Sequence, residues 1–202
     1  MRNSVVIVGS GLAGYGVARE IRKLNSELPI EMFSADHGGF YSKPMLSNAL
    51  SSGKNPDSIL NGDAAKMASQ LKISIRPFCR VTLIDQERHT ITLSDGEKII
   101  YGQLVLALGA DQVCLPLSGN GTEGILTVND LDDYRKFRDA LVDRERVCII
   151  GAGLIGCEFA NDLVTSGYRV DVIDMGAQPL GRLLPPEGGV FIRKKLEEAG
   201  VF

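Results

Sequence analysis

Ser4-Val5-Val6-Ile7-Val8-Gly9-Ser10-Gly11-Leu12-Ala13-Gly14 is the stretch that decides the fold. Ser4 to Val8 is almost wholly apolar and β-branched, which is how a strand covered on both faces of a parallel sheet reads. From Leu12 to Leu24, Leu12, Ala13, Val17, Ala18, Ile21 and Leu24 form a helical apolar stripe. Arg19, Glu20, Arg22 and Lys23 lie on the other side. Gly9 permits the tight turn between strand and helix, Gly11 lets backbone approach a pyrophosphate, and Gly14 lets helix pack on strand. The helix start adds unpaired N–H groups and a positive dipole end. A second strand, Ile30 to Ala35, ends at Asp36, twenty-two residues after Gly14. A carboxylate there can accept hydrogen bonds from an adenosine ribose. A glycine triplet alone also suits a structural turn; strand, turn, helix, strand and acid together point to a dinucleotide.

The unit then repeats. Arg146 to Ile150 is a strand, Gly151-Ala152-Gly153-Leu154-Ile155-Gly156 a second glycine turn, and Leu154 to Leu163 a helix. The next strand, Arg169 to Ile173, ends at Asp174, eighteen residues after Gly156. A carboxylate at that place suits the free 2′-hydroxyl of NADH and repels a 2′-phosphate. Met175-Gly176-Ala177 offers no arginine to hold one, so NADH is expected over NADPH. Two such turns predict an α/β chain with two Rossmann-like, doubly wound dinucleotide-binding domains. Residues 1–112 form the first and 113–202 the second. A protein that holds two redox dinucleotides usually passes electrons between them.

Between the repeats, Asn61 to Leu71 reads as a helix, followed by short strands around Ile73–Ile75, Val81–Ile84, Thr90–Leu93 and Lys98–Tyr101. These form a small β-meander joining the domains, with Asp95-Gly96 as a tight turn. Leu104 to Leu108 reads as another buried strand, ended by Gly109, which either turns the chain close to a cofactor or simply ends the strand. Pro116 to Gly124 resembles an interdomain connection. Leu131 to Val142 is a charged helix with a solvated face. Tyr41-Ser42-Lys43-Pro44-Met45-Leu46-Ser47 reads as a loop entering a short helix. Pro44 suits its first position and pushes Lys43 into an extended conformation; Gly53 can close it. Composition alone makes Lys43 a solvated surface lysine.

The composition, 44% hydrophobic and 23% charged, is that of an ordinary globular protein, and a net charge of −3 gives no reason to expect nucleic acid or anionic membrane. No apolar run approaches a membrane span, and no signal peptide is expected ahead of the first glycine turn. Cys79, Cys114, Cys148 and Cys157 show no metal-ligand spacing and read as buried, reduced thiols of a cytoplasmic protein.

At this point the layout resembles the FAD-dependent pyridine nucleotide–disulfide oxidoreductase superfamily. Tyr41 to Ser47 and Gly153-Leu154-Ile155-Gly156-Cys157-Glu158-Phe159-Ala160-Asn161-Asp162-Leu163 are similar to the bacterial rubredoxin–NAD reductases within it. The resemblance implies that the first turn binds FAD and the second NADH. Ser10, Gly11, Leu12 and Ala13 would then line the FAD pyrophosphate, and Ser34, Ala35 and Asp36 the adenosine end. Val81 would meet the adenine through its backbone, Gly109 would sit in the strand-end turn, and Lys43 would touch the isoalloxazine. Glu158 would reach the flavin side and pair with Lys43. The second turn's Gly151, Gly153, Ile155 and Gly156 would hold NADH with Asp174.

The resemblance also implies a reaction: hydride passes from NADH to flavin, then single electrons pass to rubredoxin or a similar small iron carrier. Disulfide- and peroxide-reducing branches need cysteine on the flavin-facing helix, and Tyr41 to Leu50 has none. Two alternatives stay open: a reductase for a ferredoxin-type iron–sulfur carrier, and a FAD- and NAD-binding module without turnover. Relatives in the family return to the FAD domain with a Gly-Asp segment and add an interface domain. Here Pro186 to Ala199 reads as a helix and Gly200-Val201-Phe202 as the start of a strand, so the expectation is an amino-terminal part of a longer reductase.

Overall fold

The structure is a computed structural model and describes residues 4–113 and 115–202. Its elements in chain order begin with β1 (Val5–Val8), α1 (Leu12–Leu24), β2 (Ile30–Phe33), α2 (Pro56–Ile59) and α3 (Ala64–Leu71). They continue with β3 (Ser74–Arg76), β4 (Val81–Asp85), β5 (Thr90–Leu93), β6 (Lys98–Ile100) and β7 (Gln103–Leu106). The last are α4 (Leu131–Ala140), β8 (Arg146–Ile150), α5 (Leu154–Thr165), β9 (Arg169–Ile173) and α6 (Pro186–Glu198). These divide into two compact units, residues 1–43 with 60–113, and residues 44–59 with 114–202. The segment that follows Lys43 therefore belongs with the second glycine turn.

In the first unit a parallel sheet runs in the order β3-β2-β1-β7. β1 is buried along its whole length because it is covered twice. Val5 and Ile7 pack with Tyr15 and Ala18 of α1 and Met67 of α3. Val6 and Val8 pack with Ile91, Leu93 and Tyr101 of an antiparallel β4-β5-β6 meander. The alternation of Cβ directions along a strand divides the apolar run between two layers. The meander is thus the third layer of the first unit, inserted between β3 and β7, rather than a joint between domains. The strand near Ile73 is not part of it: β3 pairs parallel with β2. Leu106 and Leu108, expected in a buried strand, are exposed, because β7 is the end strand with β1 on one side only. α3 starts at Ala64 rather than Asn61. Gly62 bridges Phe40, and the Asp63 carboxylate caps the helix by accepting from Lys66 N–H.

In the second unit β8 and β9 pair in parallel from Arg146↔Arg169 to Ile150↔Ile173. Val201 adds a parallel bridge to Val170, the expected start of a third strand. Leu163, Ala160, Val170, Val201 and Leu141 form the core, with Leu50 packed against it. The cysteines are less buried than their type suggests. Cys79 and Cys157 are half-buried, and Cys148 is exposed because β8 alternates outward with one strand neighbour. Cys114 lies outside the described residues. No helix among the described residues is long and apolar enough to cross a membrane.

Candidate dinucleotide sites

The two glycine turns are built alike. Gly9 has φ +109° and Gly151 φ +110°, values that L side chains rarely adopt. Gly9 N–H donates to Phe33 O and Gly151 N–H to Ile173 O, both at 2.8 Å, which ties each turn to the strand that carries the acid. At the third glycine the approach is closest. A Cβ on Gly14 would lie 1.9 Å from Gly9 O, and one on Gly156 1.9 Å from Gly151 O. The helix can sit on its turn only without that carbon. Gly9 itself would place a Cβ 2.1 Å from Ala107 O, so the end of β7 passes directly over the first turn. Gly109, two residues further on, has φ +72°.

The middle glycine behaves differently. A Cβ on Gly11 or Gly153 would meet nothing within 4 Å. Each is the N-cap of its helix, neither helix has a side-chain cap, and neither carries an acid in its first turn. Gly11, Leu12 and Ala13 are exposed, as are Gly153, Leu154 and Ile155. Each turn therefore offers open space bounded by unpaired helix N–H groups, the arrangement that holds a pyrophosphate. The residues present fit two dinucleotides, one in each unit.

At the carboxylate end of the first turn, three side chains interlock. Ser10 Oγ and Ser34 Oγ are 2.6 Å apart, and Asp36 Oδ1 accepts from Ser34 Oγ, from Ser10 Oγ at 3.3 Å and from Gly38 N–H at 2.8 Å. Ser10 and Ser34 are buried, whereas Ala35 is exposed. The Ser10 side chain is therefore spent on the protein, and its share of any phosphate contact is its backbone. All three donors fall on Oδ1. Phe78 N–H donates to Asp36 O and Cys79 N–H to Ser34 O, bringing the strand that carries Val81 beside this end. Tyr15 closes the floor by donating its hydroxyl to Gly38 O. Burial first, then the Asp36 charge, pushes its phenol up to about 12.

Asp174 closes the second turn. Oδ2 accepts from Ala152 N–H at 2.7 Å and Oδ1 from Gly176 N–H at 2.6 Å. These bonds hold the carboxyl below its ordinary value, with a smaller contribution from Arg182. Asp174 stays exposed, with lone pairs left for a ligand hydroxyl. Arg182 is a cation near this carboxylate that Met175-Gly176-Ala177 gave no hint of. Cys157, beside the turn, is no reactive thiolate: burial first, then the Asp174 and Glu158 charges, push its thiol up.

Lys43 is exposed and opens a single 3-10 turn, Lys43–Ser47. It is the turn's first residue, not an extended residue before it, and Pro44 is second. Gly53, at φ +67°, closes the following turns through its N–H to Leu50 O. Within the second unit Glu158 Oε2 accepts from Ser47 Oγ at 2.5 Å. Pairing of Glu158 with Lys43 would join residues of different units. Two residues that sequence reasoning passed over, Ser47 and Asp162, anchor this segment. The available signal is two carboxylates four residues apart on the largely apolar helix α5.

Two parallel strand–turn–helix units, each with an open pyrophosphate cradle and a terminal carboxylate, define a class of paired dinucleotide-binding chains. Residues 3–202 match the pyridine nucleotide-disulphide oxidoreductase family, and the chain belongs to it. It is 50% identical to a rubredoxin–NAD(+) reductase of Acinetobacter baylyi, over 98% of this chain and 51% of that protein. Among solved structures, a ferredoxin reductase from Rhodopseudomonas palustris superposes with TM-score 0.88 at 31% identity, covering 98% of this chain and 49% of that one. The NADH:rubredoxin oxidoreductase of Clostridium acetobutylicum superposes with TM-score 0.82 at 27% identity, covering 98% and 51%. The chain spans about half the length of the curated relatives it matches.

Proposed function

We propose that this chain supplies the FAD- and NADH-binding parts of a flavoprotein reductase that delivers electrons singly to rubredoxin or a similar small iron carrier. The observation that carries the reading is the pair of open, uncapped glycine cradles, each ending at its own carboxylate. When bound, the flavin supplies the step from a two-electron hydride donor to a one-electron acceptor. The chain's residues bind and orient. Gly9 to Gly14 present backbone N–H groups to the FAD pyrophosphate, and Asp36 Oδ2 receives a ribose hydroxyl. Gly151 to Gly156 do the same for NADH, while Asp174 selects the free 2′-hydroxyl. Lys43 places its ammonium against the isoalloxazine and offsets negative charge there. The raised Cys157 thiol and the cysteine-free Tyr41 to Leu50 segment favour direct transfer over a thiol relay.

A ferredoxin-type acceptor is the second reading, favoured by the likeness to the Rhodopseudomonas palustris ferredoxin reductase. Steady-state reduction of rubredoxin and of a [2Fe–2S] ferredoxin by NADH, each followed at its iron absorption, separates the two. Faster turnover of rubredoxin supports the first reading, and faster turnover of ferredoxin replaces it with the second.

A further inference from the structure

Asp162 is 2% exposed, and no other carboxylate among the described residues is buried. It sits in the last third of α5, a largely apolar helix, where an unpaired buried charge would be strongly disfavoured. It is not unpaired. Oδ2 accepts from Leu50 N–H at 3.1 Å, and Oδ1 from Ser51 N–H at 2.8 Å and from Ser51 Oγ. One helical turn earlier, Glu158 accepts from Ser47 Oγ. The four-residue spacing puts both carboxylates on one face of α5. That face grips Ser47, Leu50 and Ser51, the stretch that continues the 3-10 turn opened by Lys43. Further along the same segment, Arg138 donates to Lys54 O at 2.8 Å and Arg135 to Asp57 at 3.0 Å. Arg135 and Asp57 form an exposed pair of the kind that adds little. Apolar packing would serve stability alone as well as a buried acid does. What the acid adds is direction: three donors fixed to two oxygens allow one placement of the 50–51 turn.

We propose that Asp162 is a positioning residue, which clamps the Ser47–Ser51 turn to α5 and thereby sets where Lys43 is presented. This rests on the reading that Lys43 serves the flavin. It assigns Asp162 no contact with substrate or cofactor; its influence runs through Leu50, Ser51 and the backbone upstream of them.

The test uses Asp162→Asn, Ser51→Ala and Ser51→Thr with two readouts. Amide hydrogen exchange is followed at Leu50 and Ser51 in the protein without cofactors. Flavin reduction by NADH is followed by anaerobic stopped flow in the FAD-loaded protein. Asn keeps one acceptor but turns a donor toward Leu50 N–H, so exchange at Leu50 rises by about tenfold or more. Ångström-scale misplacement of a catalytic group costs up to about 100-fold. The limiting reduction rate of Asp162→Asn is therefore expected to fall by about tenfold or more, with half-saturation by NADH within about twofold of the parent. Ser51→Ala falls less, and Ser51→Thr, which keeps the hydroxyl, restores the parent rate. Should Asp162→Asn not fold, Ser51→Ala against Ser51→Thr carries the same test. An unchanged limiting rate despite faster Leu50 exchange reduces the clamp to a structural tie and overturns the proposal, as does exchange no faster than the parent. A parent protein whose flavin NADH does not reduce removes the reductase reading itself, and the exchange result still says whether the tie exists.

Discussion

Gly153→Ala and Gly156→Ala differ by three positions and by one methyl group each, and they are expected to fail in opposite ways. At Gly156 the new Cβ would lie 1.9 Å from Gly151 O, and the helix must retreat by roughly 1 Å to reach even the tightest tolerated contacts. Overpacking of this kind costs about 1–3 kcal/mol. In a chain of this length each kcal/mol lowers the melting temperature by about 2–4 °C. Gly156→Ala should therefore melt several degrees early. At Gly153 a Cβ meets nothing within 4 Å, and φ of −75° is open to alanine. That variant should melt within about 4 °C of the parent, since alanine for glycine at an N-cap costs at most about 1 kcal/mol. Its methyl instead occupies the space kept for a pyrophosphate, and NADH affinity should fall by about tenfold or more, as a displaced charge-assisted contact implies. Thermal melting and NADH fluorescence titration on the two variants read both quantities. If Gly153→Ala binds NADH as the parent does, or Gly156→Ala melts with it, the cradle reasoning is refuted.

Lys43→Ala in FAD-loaded protein should slow flavin reduction by NADH by about 2–4 kcal/mol in barrier, read by anaerobic stopped flow; an unchanged rate removes the lysine from the site. Asp174→Ser should raise NADPH affinity and lower NADH affinity, read by parallel titrations, because the carboxylate that repels a 2′-phosphate is gone while Arg182 remains. The Asp174 carboxyl is held below its unfolded value of about 3.9, so its contribution is complete above that value and fades as pH falls through the lowered folded value. NADH affinity should thus show no Asp174 titration between about pH 8 and pH 5, and a midpoint inside that window would contradict the bonding described. Tyr15→Phe leaves Gly38 O without its buried donor and should cost about 1 kcal/mol, read as a lower melting temperature with the fold retained.

The parts legible in the sequence are those governed by local backbone rules. Gly9, Gly14, Gly151 and Gly156 are forced by left-handed φ or by carbonyl contact, and Asp36 and Asp174 by the end of a strand beside the turn. The strand Val5–Val8 read as doubly covered because both of its faces are apolar. Its partner layers were harder: whether Ile75 joins the meander or the parallel sheet depends on register with β2, which three residues cannot declare. Leu106 and Leu108 read as buried, since apolarity reports a strand's preference and not whether a neighbour is there to cover it. The grouping of Ser47, Leu50 and Ser51 with α5 was least legible. It rests on hydrogen bonds spanning more than a hundred residues, and its only local trace is Glu158 and Asp162 on an apolar helix.

Anaerobic addition of NADH to the FAD-loaded protein asks whether the two cradles seat two dinucleotides for electron passage. The yellow flavin band is expected to bleach mole for mole with NADH and to return when an oxidised iron carrier is added. A flavin that stays yellow while NADH is bound at the second cradle would contradict that expectation.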